Sequence, residues 1–378
     1  MKIGIDARPL RRPYTGIGKY LEQILRVLAV ADKENEYYLY SHQDFDLRFS
    51  VDERWHKRIG WGGVGTIWLH TQLPFMIFRD KLDVFWGPQY AIPFWPQSVP
   101  KVVTVHDLVF HHYPETLPTL IWLHNKYTLR YYLTVAEKVI VDSHSTKRDL
   151  LKVFYITDEK VRVIHLAAEY DGKNDILSYS GTEVLEKFGI APGYILYVGT
   201  IEPRKNIVRL LEAYARIKTE KEINVPLVIT GGLGWKYEGI LAQFDKLALK
   251  DHVFFTGYLT EAELDQVYRN AAIFVYPSLY EGFGLPPLEA MLRGIPVVTS
   301  DTSSLPEVVG DAGIMVDPYN VEELAKAIQC LIEDEDMRKK YSIRGMERSR
   351  EFSWDKAGTI ILEVLTEVAR KRKASLDR

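Results

Sequence analysis

Short apolar runs alternate with helical patterns twice along this 378-residue chain. In the first half, "KIGIDA", "EYYLYSH" and "KVVTVHDL" are typical of buried strands, and "GIGKYLEQILRVLAV" has apolar residues at helical spacing. The alternation stops in a polar stretch at about 168–184 and starts again with "YILYVGT". Alternating strands and helices predict parallel α/β sheets, and the chain is too long for one ordinary core. We therefore expect two α/β domains, 1–170 and 171–353.

The C-terminal stretch 354–373 has the pattern of an amphipathic helix. Its apolar residues repeat at intervals that place them on one side of a helix. They are Ile360, Ile361, Val364, Leu365 and Val368. Because the stretch follows the second domain, we expect it to pack back against the first.

Composition and charge limit the class of protein. Hydrophobic residues make up 47% of the chain and charged residues 26%, as in globular proteins, and a net charge of −3 argues against nucleic acid as a partner. The one cysteine, Cys330, cannot form an internal disulfide, so we expect a small buried residue in a cytoplasmic protein. No apolar run reaches the roughly 18 residues that span a bilayer, and "MKIGIDARPL" indicates a strand rather than a signal peptide.

Two glycines follow the first predicted strand, where doubly wound sheets bind ligands. Gly16 and Gly18, in "TGIGKY", are expected to precede a helix, and a close backbone with a helix N-terminus can hold phosphate. Leu21 stands where the dinucleotide fingerprint has its third glycine. An ordinary strand–helix turn is an equally good interpretation.

Two cations, Arg204 and Lys205, follow a predicted strand in "YVGTIEPRKNIVRLLEAY". They directly precede a helix that is expected to begin near Asn206, and the helix dipole disfavours positive charge there. A bound anion such as pyrophosphate would remove this conflict. A solvated surface is the alternative.

Histidines and aspartates at strand ends raise the question of a metal. His106 could donate to a ligand hydroxyl or to a backbone group, and Asp107, His111 and His112 lie close to it in sequence. These four residues lack the spacing of a zinc site. The "DFD" at 44–46 resembles an Asp-x-Asp pattern, but it follows a predicted edge strand and so short a pattern arises often by chance. We therefore expect no metal.

The stretch "YEGFGLPPLEAM" holds two glutamates eight positions apart, Glu281 in a predicted loop and Glu289 in a predicted helix. One carboxylate could accept hydroxyls of a hexose and the other those of a ribose, with a diphosphate between them. The backbone expected to approach the anion belongs to Gly282, Phe283, Gly284 and Leu285. A pair of acids favoured by a helix N-terminus is the alternative, and it explains Glu289 better than Glu281.

Several ordered segments together resemble the retaining GT-B glycosyltransferases of family 4. "EGFGLPPLE" is similar to the E-x7-E signature of that family, "TGIGKYL" to its glycine loop, "VHDL" to its donor-contacting histidine, "SHSTKRDL" to a helix start, and "GTIEPRKN" to its phosphate-binding loop. Thr200 stands where many relatives have an arginine. The resemblance implies an α/β GT-B fold, with two Rossmann-like, doubly wound parallel-sheet domains facing a deep cleft. The first domain would bind the acceptor and the second the nucleotide sugar.

The resemblance also implies roles for individual residues. The catalytic residues would be Glu281, His106, Lys205 and Arg204. The donor-binding residues would be Gly16, Gly18, Arg204, Lys205, Tyr258, Leu259, Glu281, Gly282, Phe283, Gly284, Leu285 and Glu289. Within this set, Arg204 and Lys205 would hold the diphosphate and His106 would contact the 6-hydroxyl region of the hexose. Tyr258 and Leu259 would frame the base.

The same resemblance implies transfer of a hexose with retention of anomeric configuration, without an essential metal or cofactor. The donor would be a nucleoside-diphosphate sugar, with GDP-mannose expected first and UDP-glucose as the other candidate. The acceptor would be a glycan or a lipid-linked acceptor in polysaccharide or glycolipid assembly. A GT-B sugar-nucleotide epimerase and a non-catalytic nucleotide-sugar-binding protein remain alternatives.

The stretch 113–138 combines aromatic, apolar and basic residues, including Trp122 and Lys126. Such a mixture suits the headgroup boundary of a bilayer. Peripheral contact with the inner face of a membrane, aided by Arg11 and Arg12, is one interpretation. A helix buried against the sheet is the other.

Overall fold

The computed structural model describes residues 1–11, 16–96, 98–169, 183–221 and 224–376, and the chain forms two compact units. The first unit contains Met1–His111, Thr119–Leu166 and Ser353–Arg378, and the second contains His112–Pro118 and Ala167–Phe352. The segment His112–Pro118, which the predicted boundary placed in the first domain, thus belongs to the second unit. Most of the predicted polar connection lies outside the described residues.

Seven parallel strands form the sheet of the first unit, in the order β3-β2-β1-β4-β5-β6-β7. Their bounds are β1 Lys2–Asp6, β2 Glu36–Ser41, β3 Trp55–Ile59, β4 Val84–Gly87, β5 Lys101–Val105, β6 Lys138–Val141 and β7 Val161–Val163. Most of their side chains are buried, as expected for a sheet covered on both faces. The strand order reverses between β1 and β4, so the carboxyl ends of these neighbours flank a topological switch point, where such sheets bind ligands.

Strand β3 was not predicted from the sequence. Only Trp55 of its five residues is buried, so no continuous apolar run marks it. It pairs with β2 along its whole length and forms the edge of the sheet. The prediction that "DFD" follows an edge strand is therefore wrong, and Asp44 instead forms an ion pair with Lys57 of β3, at 2.5 Å.

The helices of this part of the chain are α1 Gly16–Ala31, α2 Gly65–Asp80, α3 Val109–His112, α4 Thr119–Val135 and α5 His144–Phe154. Helix α1 begins at Gly16, so Gly16 and Gly18 lie in its first turn rather than before it. Ser143 is the N-cap of α5, since its Oγ accepts from the Thr146 N–H at 3.0 Å. Helix α2 was not predicted.

Six parallel strands form the sheet of the second unit, in the order β10-β9-β8-β11-β12-β13. Their bounds are β8 Tyr194–Val198, β9 Leu227–Thr230, β10 Val253–Gly257, β11 Ala271–Tyr276, β12 Val297–Ser300 and β13 Ile314–Val316. Strand β8 falls on the predicted run "YILYVGT", and the other five strands together also consist mainly of apolar residues. The switch point of this sheet lies between β8 and β11, which pair directly.

The helices of the second unit are α6 Glu183–Phe188, α7 Ile207–Lys221, α8 Glu238–Lys246, α9 Glu261–Arg269, α10 Leu285–Leu292, α11 Leu305–Val309, α12 Val321–Glu333 and α13 Glu335–Ser349. The expectation of a buried Cys330 is wrong, because this residue is exposed on α12. The buried face of α12 runs through Leu324, Ile328 and Leu331, and Cys330 lies just outside it.

The C-terminal helix α14, Trp354–Leu376, packs against α1 within the first unit. A Cβ on Gly358 would lie 2.6 Å from Val27 Cγ1, so the glycine allows the two helices to approach closely. Most of the predicted apolar face of α14 is buried, including Ile361 and Leu365. Among the described residues, no helix is both long enough and apolar enough to cross a bilayer.

Candidate active site at the switch point of the second sheet

Two loops meet at the carboxyl ends of β8 and β11. The loop after β8 carries Arg204 and Lys205 in a 3₁₀ turn, Pro203–Lys205, and the loop after β11 carries Glu281. The Leu279 N–H donates to the Arg204 carbonyl at 2.9 Å and so ties the two loops together. Residues that are far apart in sequence are thereby brought to one point of the sheet edge.

The loop after β8 is supported by the glycine-rich loop after β9. A Cβ on Gly231 would lie only 2.1 Å from the Gly199 carbonyl oxygen, and one on Gly234 would lie 2.6 Å from Thr200 Cγ2. Only glycine permits this approach. The "GGLG" segment therefore fixes the path of the loop after β8. Thr200, which stands where the family resemblance places an arginine, is exposed in that loop.

Asn206 fixes the end of the turn. It has a left-handed backbone, with φ of 60°, which asparagine tolerates better than most residues. Its side-chain amide donates to the carbonyls of Pro277 and Pro318 at 3.0 and 2.7 Å. Helix α7 begins at Ile207, the residue after Asn206, so Arg204 and Lys205 lie just before its N-terminus.

The centre of the site is a buried ionic cluster. Lys205 Nζ donates to Glu281 Oε1 at 2.6 Å and to the Tyr276 hydroxyl at 2.7 Å. The Arg204 guanidinium lies 3.1 Å from Glu281 Oε2 and donates to Glu202 Oε1 at 2.6 Å. Lys205 and Glu281 are 7% and 9% exposed, so these charges act in a medium of low polarity.

The cations control the charge of Glu281. Burial favours the neutral acid, but the charges of Arg204 and Lys205 outweigh it and hold the pKa of Glu281 at about 2. Burial and the neighbouring Arg204 lower the pKa of Lys205 from its ordinary value, and Glu281 opposes this shift. The carboxylate is therefore ionised at any physiological pH.

Hydroxyl groups that the sequence analysis did not single out as site residues hold the Glu281 loop. The Glu281 N–H donates to Ser303 Oγ at 2.9 Å. Ser304 Oγ donates to the carbonyls of Glu281 and Phe283, at 2.9 and 2.5 Å. Both hydroxyls come from "DTSS", which follows β12, the neighbour of β11. A run of hydroxyl residues at a strand end is the signal that could have revealed them.

Helix α10 begins where the loop ends. Gly284 precedes it with φ of 123°, and a Cβ there would lie 2.9 Å from Leu305 Cδ2, so glycine is required. Glu289 lies half-buried on this helix and accepts from the Tyr268 hydroxyl at 2.9 Å. The two glutamates of the signature are thus held by different partners.

The two residues expected at the base lie farther along the sheet edge. Tyr258 and Leu259 follow β10, which is separated from β8 by β9. Tyr258 is 74% exposed, whereas Leu259 is buried. An exposed aromatic ring at this position is available for stacking.

His106 belongs to the first unit, at the carboxyl end of β5. Its Nδ1 lies 2.7 Å from Asp142 Oδ2 and its Nε2 lies 2.9 Å from the Pro88 carbonyl oxygen. Burial lowers the pKa of His106, but Asp142 and the Pro88 carbonyl raise it above its ordinary value overall. Both ring nitrogens therefore face groups that can accept a hydrogen bond.

Gly16 and Gly18 also belong to the first unit. Gly16 is exposed at the first residue of α1, and a Cβ there would meet no heavy atom of the described residues within 4 Å. Gly18 is buried in the same turn. The described residues thus leave room for a ligand at this helix N-terminus.

We expect the stability of the protein to depend on Glu281 in acid. Unfolding returns its pKa from about 2 to the ordinary value of 4.5, so the carboxylate stabilises the fold fully above pH 4.5 and loses that contribution as the pH falls toward 2. The difference corresponds to about 3 kcal/mol. Urea unfolding of the wild type should therefore show a steeper loss of stability between pH 5 and 3 than unfolding of Glu281→Gln.

A variant of an exposed acid, Glu333→Gln, serves as the control and should keep the wild-type slope. Equal slopes for Glu281→Gln and the wild type would show that the ion pairs with Arg204 and Lys205 do not form in solution.

Two family models match the chain. The model described as Glycosyltransferase Family 4 matches residues 14–169, and the model described as Glycosyl transferases group 1 matches residues 184–348. The two matches coincide with the main parts of the two units.

Individual proteins are similar over the whole chain. O-antigen chain mannosyltransferase B of Escherichia coli is 32% identical, over 95% of this chain and 98% of its own. The structure of a sucrose-phosphate synthase from Thermosynechococcus elongatus covers 97% of this chain and 98% of its own, with a TM-score of 0.73 at 20% identity. Anabaena Alr3699/HepE in complex with UDP-glucose covers 97% and 100%, with a TM-score of 0.73 at 18% identity.

The structural similarities concern the fold, and together with two parallel-sheet units they confirm the predicted GT-B class. Membership of the family is supported by sequence identity as well as by the fold, because O-antigen chain mannosyltransferase B is matched over nearly its full length. This chain belongs to the family 4 glycosyltransferases, with a second half of the glycosyl transferases group 1 type.

Proposed function

We propose that this protein is a retaining hexosyltransferase that moves mannose from GDP-mannose to a glycan or lipid-linked acceptor in polysaccharide assembly. The observation that carries the proposal is the buried cluster of Arg204, Lys205 and Glu281 at the switch point of the second sheet. The choice of sugar is supported by the similarity to O-antigen chain mannosyltransferase B.

The two cations suit the diphosphate of a donor. Lys205 uses two of its three N–H groups on described side chains, Glu281 and Tyr276, which leaves one for a phosphate oxygen. Arg204 is held beside it by Glu202. When the glycosidic bond breaks, negative charge grows on the leaving diphosphate, and fixed cations in a buried site stabilise that charge without reorganising.

Glu281 can bind sugar while it holds the cations. Each carboxylate oxygen has two lone pairs, and Lys205 and Arg204 each engage a different oxygen. The remaining lone pairs can accept from hexose hydroxyls. In this proposal Glu289 accepts from the ribose, Tyr258 and Leu259 frame the base, and the backbone at the start of α10 approaches the β-phosphate.

The reaction is proposed to proceed by attack on the same face of the sugar that the diphosphate leaves. The leaving phosphate takes the proton of the acceptor hydroxyl, so the protein contributes position and charge rather than a covalent nucleophile. His106 would act as a donor toward the 6-hydroxyl of the hexose, in place of its bond to the Pro88 carbonyl. UDP-glucose is the second candidate donor, since HepE has been solved with it.

Removing either partner of the central ion pair should abolish most transfer. We expect Glu281→Ala and Lys205→Ala each to lower kcat by about 100-fold or more, the effect of losing one preorganised group. Release of GDP from GDP-mannose and sugar transfer to an oligosaccharide acceptor measure this, with circular dichroism to verify folding. Lys250→Ala, at a mostly exposed side chain, is the matched control and should keep the wild-type rate.

Near-normal turnover by both variants would refute the assignment of the cluster. Epimerised sugar without transfer would favour an epimerase, and binding of nucleotide sugar without release or change would favour a non-catalytic protein.

Transfer should continue in the presence of EDTA. Arg204 and Lys205 supply the positive charge that a divalent ion would otherwise bring to the diphosphate. Assays with and without excess EDTA check this. Loss of activity that manganese restores would instead assign a metal, and Asp44 would then be the first residue to replace.

We further propose that the first unit contacts anionic membranes through α4. Leu129, Tyr132 and Leu133 of this helix are buried, whereas Leu120 and Tyr127 are 81% and 69% exposed. Neither membrane contact nor burial against the sheet, the two interpretations of the sequence, describes the whole helix. One side of it is buried and the other is exposed to solvent. No acidic residue interrupts Thr119–Val135, so the open side suits a negative surface.

Co-sedimentation with vesicles of phosphatidylglycerol should therefore detect binding that weakens with salt. Tyr127→Glu should reduce it, because the substitution adds a negative charge at the interface. Val30→Glu, at an exposed site on α1, should have no effect. The contact is refuted if no binding occurs at low salt.

A further inference from the structure

Helix α2 presents an apolar face to solvent. Val64, which precedes the helix, and Ile67, Phe75 and Phe78 on it are each more than 60% exposed, and their spacing places them along one side. The opposite side is buried through Leu69, among others. A helix that is apolar on both sides needs a second apolar partner, and exposed patches of this kind mark binding sites.

The face borders a groove of about 580 Å³ that lies within the first unit. Its walls include Trp61, Ile67, Trp68, Phe75 and Arg79. Trp61 is 95% exposed, on a turn that Gly62 and Gly63 form with positive φ. The stretch 61–79 contains no aspartate or glutamate. Apolar walls of this kind can bind a hydrocarbon chain. Because the stretch carries no carboxylate, it does not repel a negatively charged group attached to that chain.

The inner wall of the groove adjoins a polar cluster. The Arg8 guanidinium lies 5.9 Å from the centroid of the Trp68 ring. The centroid of the His42 ring also lies 5.9 Å from that of Trp68. Arg8 donates to the Gly65 carbonyl at 2.9 Å, at the first residue of α2. Arg8 follows β1, which flanks the switch point of this sheet. The apolar groove thus leads toward the ligand-binding edge of the first sheet.

The cluster carries unneutralised positive charge. Asp6 accepts from Arg8 at 2.6 Å and neutralises it. Arg11 donates to His42 Nε2 at 2.8 Å, and within the described residues it has no carboxylate partner. Burial, Arg11 and Arg8 all lower the pKa of His42, so this histidine is a neutral acceptor and adds no negative charge. One guanidinium is therefore available to an anion.

We propose that Arg11 and the α2 groove together bind the phosphate and the hydrocarbon chain of a lipid-linked acceptor. The inference rests on the proposed transfer to such an acceptor and names the residues that hold its carrier. A cation beside a hydrocarbon groove matches a molecule in which a phosphate is joined directly to an alkyl or prenyl chain. A free sugar phosphate would contact only Arg11, and a neutral lipid would contact only the groove.

Monomeric farnesyl diphosphate is the probe for this site. Its binding is measured by isothermal titration calorimetry in the presence of saturating GDP, which occupies the diphosphate site of the second unit. We expect saturable binding, with farnesol and pyrophosphate each at least about tenfold weaker, the scale of one charge-assisted contact or of several buried methylenes. Arg11→Gln and Ile67→Asp should each weaken farnesyl diphosphate binding by about tenfold or more.

Val30→Asp is the matched apolar-to-acid control, at an exposed site of the same unit, and should bind like the wild type. Absence of saturable binding, an equal loss in Val30→Asp, or binding to phosphatidylglycerol vesicles but not to the monomer would each overturn the proposal. If farnesyl diphosphate does not bind, but GDP binds and mannose is transferred to a soluble glycan, the proposed lipid site is refuted. The proposed function is then still supported. If GDP does not bind, the proposed function itself fails.

Discussion

The ion pairs of Glu281 with Lys205 and Arg204 join the two loops at the switch point of the second sheet, and the candidate site depends on them. Burying such ions costs several kcal/mol each before their attraction is counted, and apolar side chains could hold two loops together at less cost. We therefore interpret the cluster as a device that keeps two cations fixed and ready for a diphosphate. Glu281 and Glu202 together balance the charge of the two cations.

Much of the fold could be predicted because buried parallel strands are continuous apolar runs. All six strands of the second sheet stand out in this way. Strand β3 does not, since its exposed side chains break the pattern, and α2 does not, because apolar residues on both of its sides and an internal Pro74 obscure the helical period. Cys330 was misjudged because one step along a helix separates a buried face from an exposed one.

The sequence singled out Arg204, Lys205 and Glu281 as candidate site residues but did not show their mutual contacts. Lys205 and Glu281 are 76 residues apart, and only the pairing of β8 with β11 brings them together. The hydroxyls of Ser303 and Ser304 were missed for the same reason, since their role depends on the neighbouring strand. Local patterns indicate which residues carry charge, whereas sheet topology decides which of them meet.

We infer that Lys205 and its partners bind the terminal phosphate of the donor nucleotide. Calorimetry with GDP and with GMP tests it most directly, because the two ligands differ only in the β-phosphate. We expect the wild type to bind GDP at least about tenfold more tightly than GMP. Lys205→Met should remove most of this difference while the affinity for GMP is kept. An unchanged ratio of GDP to GMP affinity in Lys205→Met would show that Lys205 does not bind the β-phosphate.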